Sequence, residues 1–234
     1  MVFCFPNAGG GGTQYLSWRR ALPSSLWLQP IQLPGRDNRI VEPPEFDPGE
    51  IAEALMHRVD RPYALYGHSM GGVLACEVVR ELIRRGGRLP DVVYLGACLP
   101  PHVDHGWVRH WAGLDDDELL DEVAGLGGIP SAVLEQASVR RRVAAVMRSD
   151  VVWLDSIPPD RLGRLPVAIV AFAGADDPLV GPAAMAHWDR YTSEDFTLRS
   201  IRGGHLFHME NAHALTSAIA NDVTSTGGNL HGIR

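Results

Sequence analysis

Three side chains of this protein could together carry out acyl transfer. Ser69 sits in Gly67-His68-Ser69-Met70-Gly71, a G-x-S-x-G sequence. A serine hydroxyl is a poor nucleophile at neutral pH, so a neutral imidazole must take its proton. The imidazole in turn needs a carboxylate that fixes its tautomer and stabilises the imidazolium. Gly203-Gly204-His205 offers a histidine at a strand end, and Gly174-Ala175-Asp176-Asp177-Pro178 offers two aspartates before it. Asp177 is favoured because it sits at the turn just beyond a strand and is followed by a stiffening proline, which leaves Asp176 as a solvated or capping neighbour. His205 is favoured among ten histidines. His68 is expected to point away from Ser69 and to be structural, and His208 and His213 fall on or near a terminal helix. No H-E-x-x-H sequence or Cys/His cluster points to a metal, and no cofactor is expected.

Positioning these groups requires strands that end where they stand. Tyr63 to Tyr66 is a short apolar run that reads as a buried strand. Beyond Ser69, Leu74, Val78 and Leu82 recur at helical spacing with Val79 and Ile83 beside them, charged residues take the other side, and Gly86-Gly87 is the stop signal. Strand, serine turn and helix form a nucleophile elbow, in which glycines flank a strained serine and the Met70 N–H faces the developing oxyanion. The plain alternative is a glycine-rich strand–helix turn of an ordinary α/β protein. Val2–Phe5 is another strand, running into Pro6-Asn7-Ala8 and four glycines. The loop at this place gives an α/β-hydrolase its second oxyanion N–H; the competing reading is a flexible turn.

The remaining pattern alternates strands and helices. Thr13 is expected to cap a short helix carrying Leu16, Trp18 and Leu22. Strands are expected at Leu26–Leu33, Asp91–Leu99, Val167–Phe172 and Phe196–Ile201, with helices from Pro48 to about Val59 and near Pro182–Tyr191. Between His102 and about Leu165 no strand of useful length appears, and Asp115–Val123 and Ala132–Met147 read as helices. A helical insert there reads as a lid, apolar enough at Trp107, Trp111, Val133 and Leu134 to cover a cleft. Asn211 is expected to cap a final helix through about Val223, with a disordered tail over 224–234. The expectation is therefore one domain, 1–234, with an α/β-hydrolase fold: a mostly parallel sheet flanked by helices, with a helical lid at about 102–165.

Composition narrows the function classes. A net charge of −7 and a pI near 5.8 argue against nucleic acid and anionic membranes as partners. The longest apolar runs are too short to span a bilayer. Cys4, Cys76 and Cys98 form no C-x-x-C pair, and their odd number suits a reducing cytoplasm.

The assembled motifs also resemble a known family. Phe5-Pro6-Asn7-Ala8-Gly9-Gly10, Trp18, Leu33-Pro34-Gly35-Arg36 with Arg39, and Glu42-Pro43-Pro44 resemble the type II thioesterases of polyketide and nonribosomal peptide assembly lines. The elbow, Leu126-Gly127-Gly128-Ile129-Pro130, Arg148-Ser149-Asp150 and Gly203-Gly204-His205 do so too. The likeness runs from residue 2 to about 210, and the 33–44 segment is its most specific part. The resemblance implies an editing enzyme, expected to be a monomer, that hydrolyses aberrant or stalled acyl groups from the phosphopantetheine arm of acyl or peptidyl carrier proteins. It implies Ser69, Asp177 and His205 as catalytic residues and the Ala8 and Met70 N–H groups as the oxyanion hole. Carrier proteins are acidic, so Arg36 and Arg39, or Arg140-Arg141-Arg142, are candidate docking cations, a solvated face being the alternative. Gly72 stands where the family commonly has Ala, a change expected to be mild. Two other readings share the fold: a carboxylesterase or lipase-like hydrolase of small esters, and a non-catalytic interaction protein.

Overall fold

Alternating apolar segments become the strands of one parallel sheet, as their two-sided burial requires. In this computed structural model, which describes residues 1–23, 26–103, 106–129, 135–159 and 161–229, the strands are β1 (Val2–Phe5), β2 (Leu28–Pro30), β3 (Ala64–His68), β4 (Val92–Gly96), β5 (Ala168–Gly174) and β6 (Phe196–Ile201). Their order across the sheet is β2-β1-β3-β4-β5-β6, and every pairing is parallel. The helices are α1 (Trp18–Ala21), α2 (Pro48–Arg58), α3 (Met70–Arg85), α4 (Gly106–Gly113), α5 (Asp116–Gly125), α6 (Ala137–Asp155), α7 (Pro182–Ala186), α8 (Phe207–Glu210) and α9 (Ala212–Asn229).

The two faces of the sheet carry two apolar cores. One joins Leu65, Val93, Leu95 and Ala171 to α2, α3 and the helices of the 102–165 segment. The other joins Cys4, Tyr66, Tyr94 and Phe172 to Trp18, Phe207, Leu215 and Ile219. Odd and even residues of one strand thus face different helical layers. The three cysteines are buried and unpaired, and no helix of the described residues is long and apolar enough to cross a membrane.

Several local expectations are corrected. Thr13 does not cap a helix: it lies inside a 3-10 turn, Gly12–Tyr15, and its hydroxyl donates to Asp37 Oδ1 at 2.9 Å. The second strand is only three residues long: β2 is the edge strand, Pro30 sits where its missing N–H faces away from β1, and once the Ile31 N–H has donated to the Cys4 carbonyl at 2.8 Å the chain turns into the loop that follows. The second lid helix is displaced toward the C-terminus, starting at Ala137 and continuing through Trp153 and Leu154 to Asp155. A further helix, α4, holds Trp107 and Trp111. Helix α9 runs on to Asn229 instead of stopping at Val223, and Asn211 uses its side-chain amide to bind the Arg202 carbonyl rather than to cap α9. Pro130, Val133, Leu134 and residues 230–234 lie outside the described residues.

Candidate active site

Ser69 is where β3 turns into α3, at φ 53° and ψ −121°. Holding a non-glycine residue there costs about 1–3 kcal/mol and needs the surroundings to enforce it. The enforcement is steric. A Cβ on Gly67 would overlap the Gly71 carbonyl, and one on Gly71 would overlap the Phe5 and Pro6 carbonyls. Only glycine lets β1, β3 and α3 converge this closely. The next position is confined by a side chain instead: an alanine Cβ at Gly72 would stand 2.7 Å from Cys98 Sγ and 2.8 Å from Cys98 Cβ, so alanine requires Cys98 to move.

The structure brings Ser69, His205 and Asp177 into one chain of hydrogen bonds. His205 Nε2 lies 3.1 Å from Ser69 Oγ, and Nδ1 lies 2.9 Å from Asp177 Oδ2. With Nδ1–H donating to the carboxylate, Nε2 is left to accept the serine proton. Asp177 Oδ1 accepts the backbone N–H groups of Leu179 and Val180 at 2.8 and 3.1 Å. Burial pushes the Asp177 carboxyl up, but the His205 hydrogen bond and charge and these two N–H groups outweigh it, and the net shift is downward. The carboxylate is therefore ionised beside the imidazole. Asp176 is exposed and only its backbone N–H is engaged, donating to the Gly203 carbonyl.

The two proposed oxyanion donors stand at the start of α3 and in the turn after β1. Met70 is the first residue of α3, where an N–H has no intrahelical acceptor. Ala8 lies in the turn after β1, where the Gly10 N–H donates to the Asn7 carbonyl at 2.9 Å. That carbonyl and the Ala8 N–H belong to one trans peptide, so the turn fixes the direction of the N–H. No acceptor among the described residues takes it.

Beneath His205 lies a buried aromatic stack of which the sequence marks only His68 as structural. With the His205 carbonyl as acceptor, His68 Nε2–H donates to it at 2.7 Å, leaving Nδ1 to accept the Tyr66 hydroxyl at 2.9 Å. His208 stacks on His68 with ring centroids 3.7 Å apart, and neither of its nitrogens has a hydrogen-bond partner among the described residues. Burial pushes His68 well down, and burial followed by the charge of His205 pushes His208 down to about 3, so both are neutral rings. From the lid side, the Trp107 ring stands edge-on to His205 at 6.5 Å and packs on Trp111 at 4.8 Å.

The arginines are not all where docking would need them. Arg36 is buried and pairs with Asp150, and Arg39 pairs with Glu42, three residues on. Arg140 is held by Asp117 and Asp121. Arg141 and Arg142 are exposed and have no ion-pair partner among the described residues, and they border a groove between α6 and the Gly35–Pro44 loop, with a cavity of about 300 Å³ that reaches Gly9. Among the described residues no cluster could hold a metal ion.

Comparison with known proteins places this geometry. The model of a family described as the thioesterase domain matches residues 1–223. The chain belongs to the thioesterase domain family. Among solved structures, this thioesterase is similar to RedJ, from the prodiginine biosynthetic pathway of Streptomyces coelicolor, with 31% identity and a TM-score of 0.84 over 94% of this chain and 89% of that one. It is also similar to BorB, a type II thioesterase from the borrelidin biosynthetic cluster, with 30% identity and a TM-score of 0.76 over 94% of this chain and 89% of that one. A curated relative, LgrE of Brevibacillus parabrevis, is 30% identical over 96% of this chain and 88% of its own length, and is named a linear gramicidin dehydrogenase. This thioesterase carries no dinucleotide G-x-G-x-x-G after β1, since Gln14 and Tyr15 stand where a third glycine would be needed. The protein is a hydrolase of thioesters with an α/β-hydrolase fold, and its relatives serve polyketide and nonribosomal peptide pathways.

Proposed function

We propose that this thioesterase clears acyl groups from the phosphopantetheine arm of acyl or peptidyl carrier proteins through an acyl-enzyme at Ser69. The observation that carries the chemistry is the Ser69–His205–Asp177 relay, with contacts of 3.1 and 2.9 Å. His205 Nε2 takes the Ser69 proton as Oγ attacks the thioester carbonyl, and the oxyanion is met by the Ala8 and Met70 N–H groups. The C–S bond breaks, His205 returns the proton to the departing thiolate, and the acyl group remains on Oγ. Water, deprotonated by His205, then attacks the ester; the C–Oγ bond breaks, His205 returns the proton to Ser69 Oγ, and the carboxylic acid leaves. Asp177 stays ionised and holds the imidazole in register.

The carrier-protein part of the reading is supported by the biosynthetic clusters of RedJ and BorB and by the exposed Arg141 and Arg142 on an acidic molecule. These two arginines, not Arg36 or Arg39, are the cations available to an acidic partner beside the groove. The test pairs two assays. A fluorophosphonate should label the wild type once per chain and leave Ser69→Ala unlabelled, and acetyl-carrier protein should be turned over faster than p-nitrophenyl acetate. A folded but unlabelled wild type removes the enzyme mechanism. Faster hydrolysis of the free ester at every carrier-protein concentration points instead to a small-ester carboxylesterase.

A further inference from the structure

Asp150 is an acid on the apolar face of α6, one turn from Met147 and from Leu154, and it is 0% exposed. Arg36, 6% exposed, meets it with two parallel bonds, Nη1 to Oδ2 at 2.7 Å and Nη2 to Oδ1 at 2.9 Å. What remains of the pair's bonding capacity goes to a single neighbourhood. Asp150 Oδ2 accepts the Gly9 N–H at 2.8 Å, Arg36 Nη1 donates to the Gly10 carbonyl at 3.1 Å, and Arg36 Nε donates to the Pro34 carbonyl at 3.1 Å. Three segments far apart in sequence, 9–10, 34–36 and 147–150, thus converge on one buried ion pair.

Stability does not explain such a pair. Desolvation cancels most of the attraction between buried charges, and apolar side chains of the same volume serve as well or better. Burial in fact outweighs Arg36 and pushes the Asp150 carboxyl up from its ordinary range. Geometry does explain it. Gly9 is left-handed at φ 70°, and a Cβ there would overlap the Met147 side chain of the same helix. The Gly9 and Gly10 peptides are thereby gripped from both sides, N–H by the acid and C=O by the base. Gly10 is also the residue whose N–H closes the turn on Asn7, and that turn sets the direction of the Ala8 N–H.

We propose that Arg36 and Asp150 are positioning residues for the oxyanion hole, clamping the Asn7–Gly10 turn so that the Ala8 N–H is aimed before substrate arrives. The pair touches no reacting atom. It rests on the reading of Ala8 as an oxyanion donor, and it makes the C-terminal half of α6 a fixed wall of the site rather than a part that swings with a lid.

The test uses the full chain with the double substitution Arg36→Met and Asp150→Leu, which removes both charges without leaving either unpaired. Arg36→Lys, which keeps the charge but cannot form the fork, is the second variant. Glu77→Gln is the control: Glu77 is as buried, and Arg161 bonds it from beyond α6 at 3.0 Å, away from the turn. The double variant should fold, lose 10- to 1,000-fold in kcat with KM nearly unchanged, the ceiling being the loss of one oxyanion donor, and exchange the Gly9 amide at least tenfold faster. Arg36→Lys should fall between it and the wild type, and Glu77→Gln should keep the wild-type kcat. A folded double variant within threefold of wild-type kcat, or an equal loss in Glu77→Gln, overturns the clamp. A wild type that is inert to thioesters and to fluorophosphonate overturns the catalytic reading itself, and the clamp's catalytic role with it. A wild type that is labelled but prefers free esters alters only the substrate, and the kcat comparison is then read on those esters.

Discussion

The strand ends and the helical cover are held by different means. At the strand ends, the backbone does the positioning: glycines at 67 and 71 admit carbonyls where any side chain would collide, and Ser69 takes a strained conformation because nothing else fits. In the cover, long arginine side chains do it. Arg148 binds the carbonyls of Trp111, Ala112 and Leu114 at the end of α4 and reaches Asp116 at the start of α5. Arg140 ties α6 to Asp117 and Asp121, and Arg161 ties the segment after α6 to Glu77 of α3. A frame made by sterics cannot relax without breaking, whereas one made by flexible cations can let go one contact at a time. The proposed catalytic groups sit on the first kind and the helical cover on the second.

Damage at the strand ends is expected in kcat and damage in the cover in KM and thermal stability, the exception being Asp150, which reaches from α6 to the turn after β1. The largest effect is expected for Asp177→Asn, a fall in kcat of about 10³–10⁴ with the fold intact, against little change for the exposed Asp176→Asn. Steady-state kinetics on one acyl-carrier substrate decide it, and the reverse ranking would assign the carboxylate wrongly.

The second prediction concerns the stack beneath His205. His208 titrates near 3 in the fold and near 6.5 when unfolded. Below pH 6.5 the unfolded chain therefore binds a proton the native state refuses, and stability falls as pH falls toward 3. At pH 5 the cost is roughly 2 kcal/mol, from about 1.4 kcal/mol per pH unit. His208→Leu should flatten that acid limb in denaturant melts taken at pH 5 and pH 8. An unchanged pH slope would mean the ring is already charged or hydrated.

The smallest effect is expected in the cover. Arg148→Met keeps the apolar stem and loses the carbonyl contacts, costing about 1–2 kcal/mol, or a Tm shift of roughly 2–8 °C for a chain of this size. KM should rise while kcat stays within about threefold. A kcat loss as large as that of Asp177→Asn would erase the distinction between the two regions.

The same contrast governs what the sequence reveals. The elbow, the aspartate after β5 and the histidine after β6 are legible because each is a strand end followed by a residue pattern with one steric meaning. Helix α6 is less so. Its first turn is displaced because the polar run Ser138 to Arg142 has weak helical periodicity, and its end is hidden because Asp150 and Asp155 interrupt the apolar stripe. Asp150 itself carries a signal, an acid three residues after Met147 and four before Leu154, which marks a buried partner but does not say which. Arg36 looked like a docking cation because pairing across more than a hundred residues is invisible in one chain. The Gly72–Cys98 contact is hidden for the same reason: the glycine answers to a thiol on another strand's exit loop.

The order of the strands carries a consequence for synthesis. Because β1 lies inside the sheet between β2 and β3, the N-terminal half can pair as it leaves the ribosome, and the serine's strand and turn have their neighbours early. The proposed base and its carboxylate wait for β5 and β6, at the far side of the sheet and more than a hundred residues later in synthesis. A nascent or truncated chain would thus display the hydroxyl without anything to deprotonate it. On the proposed mechanism the chain stays chemically silent until β6 has been made, which keeps an earlier fragment from acylating itself.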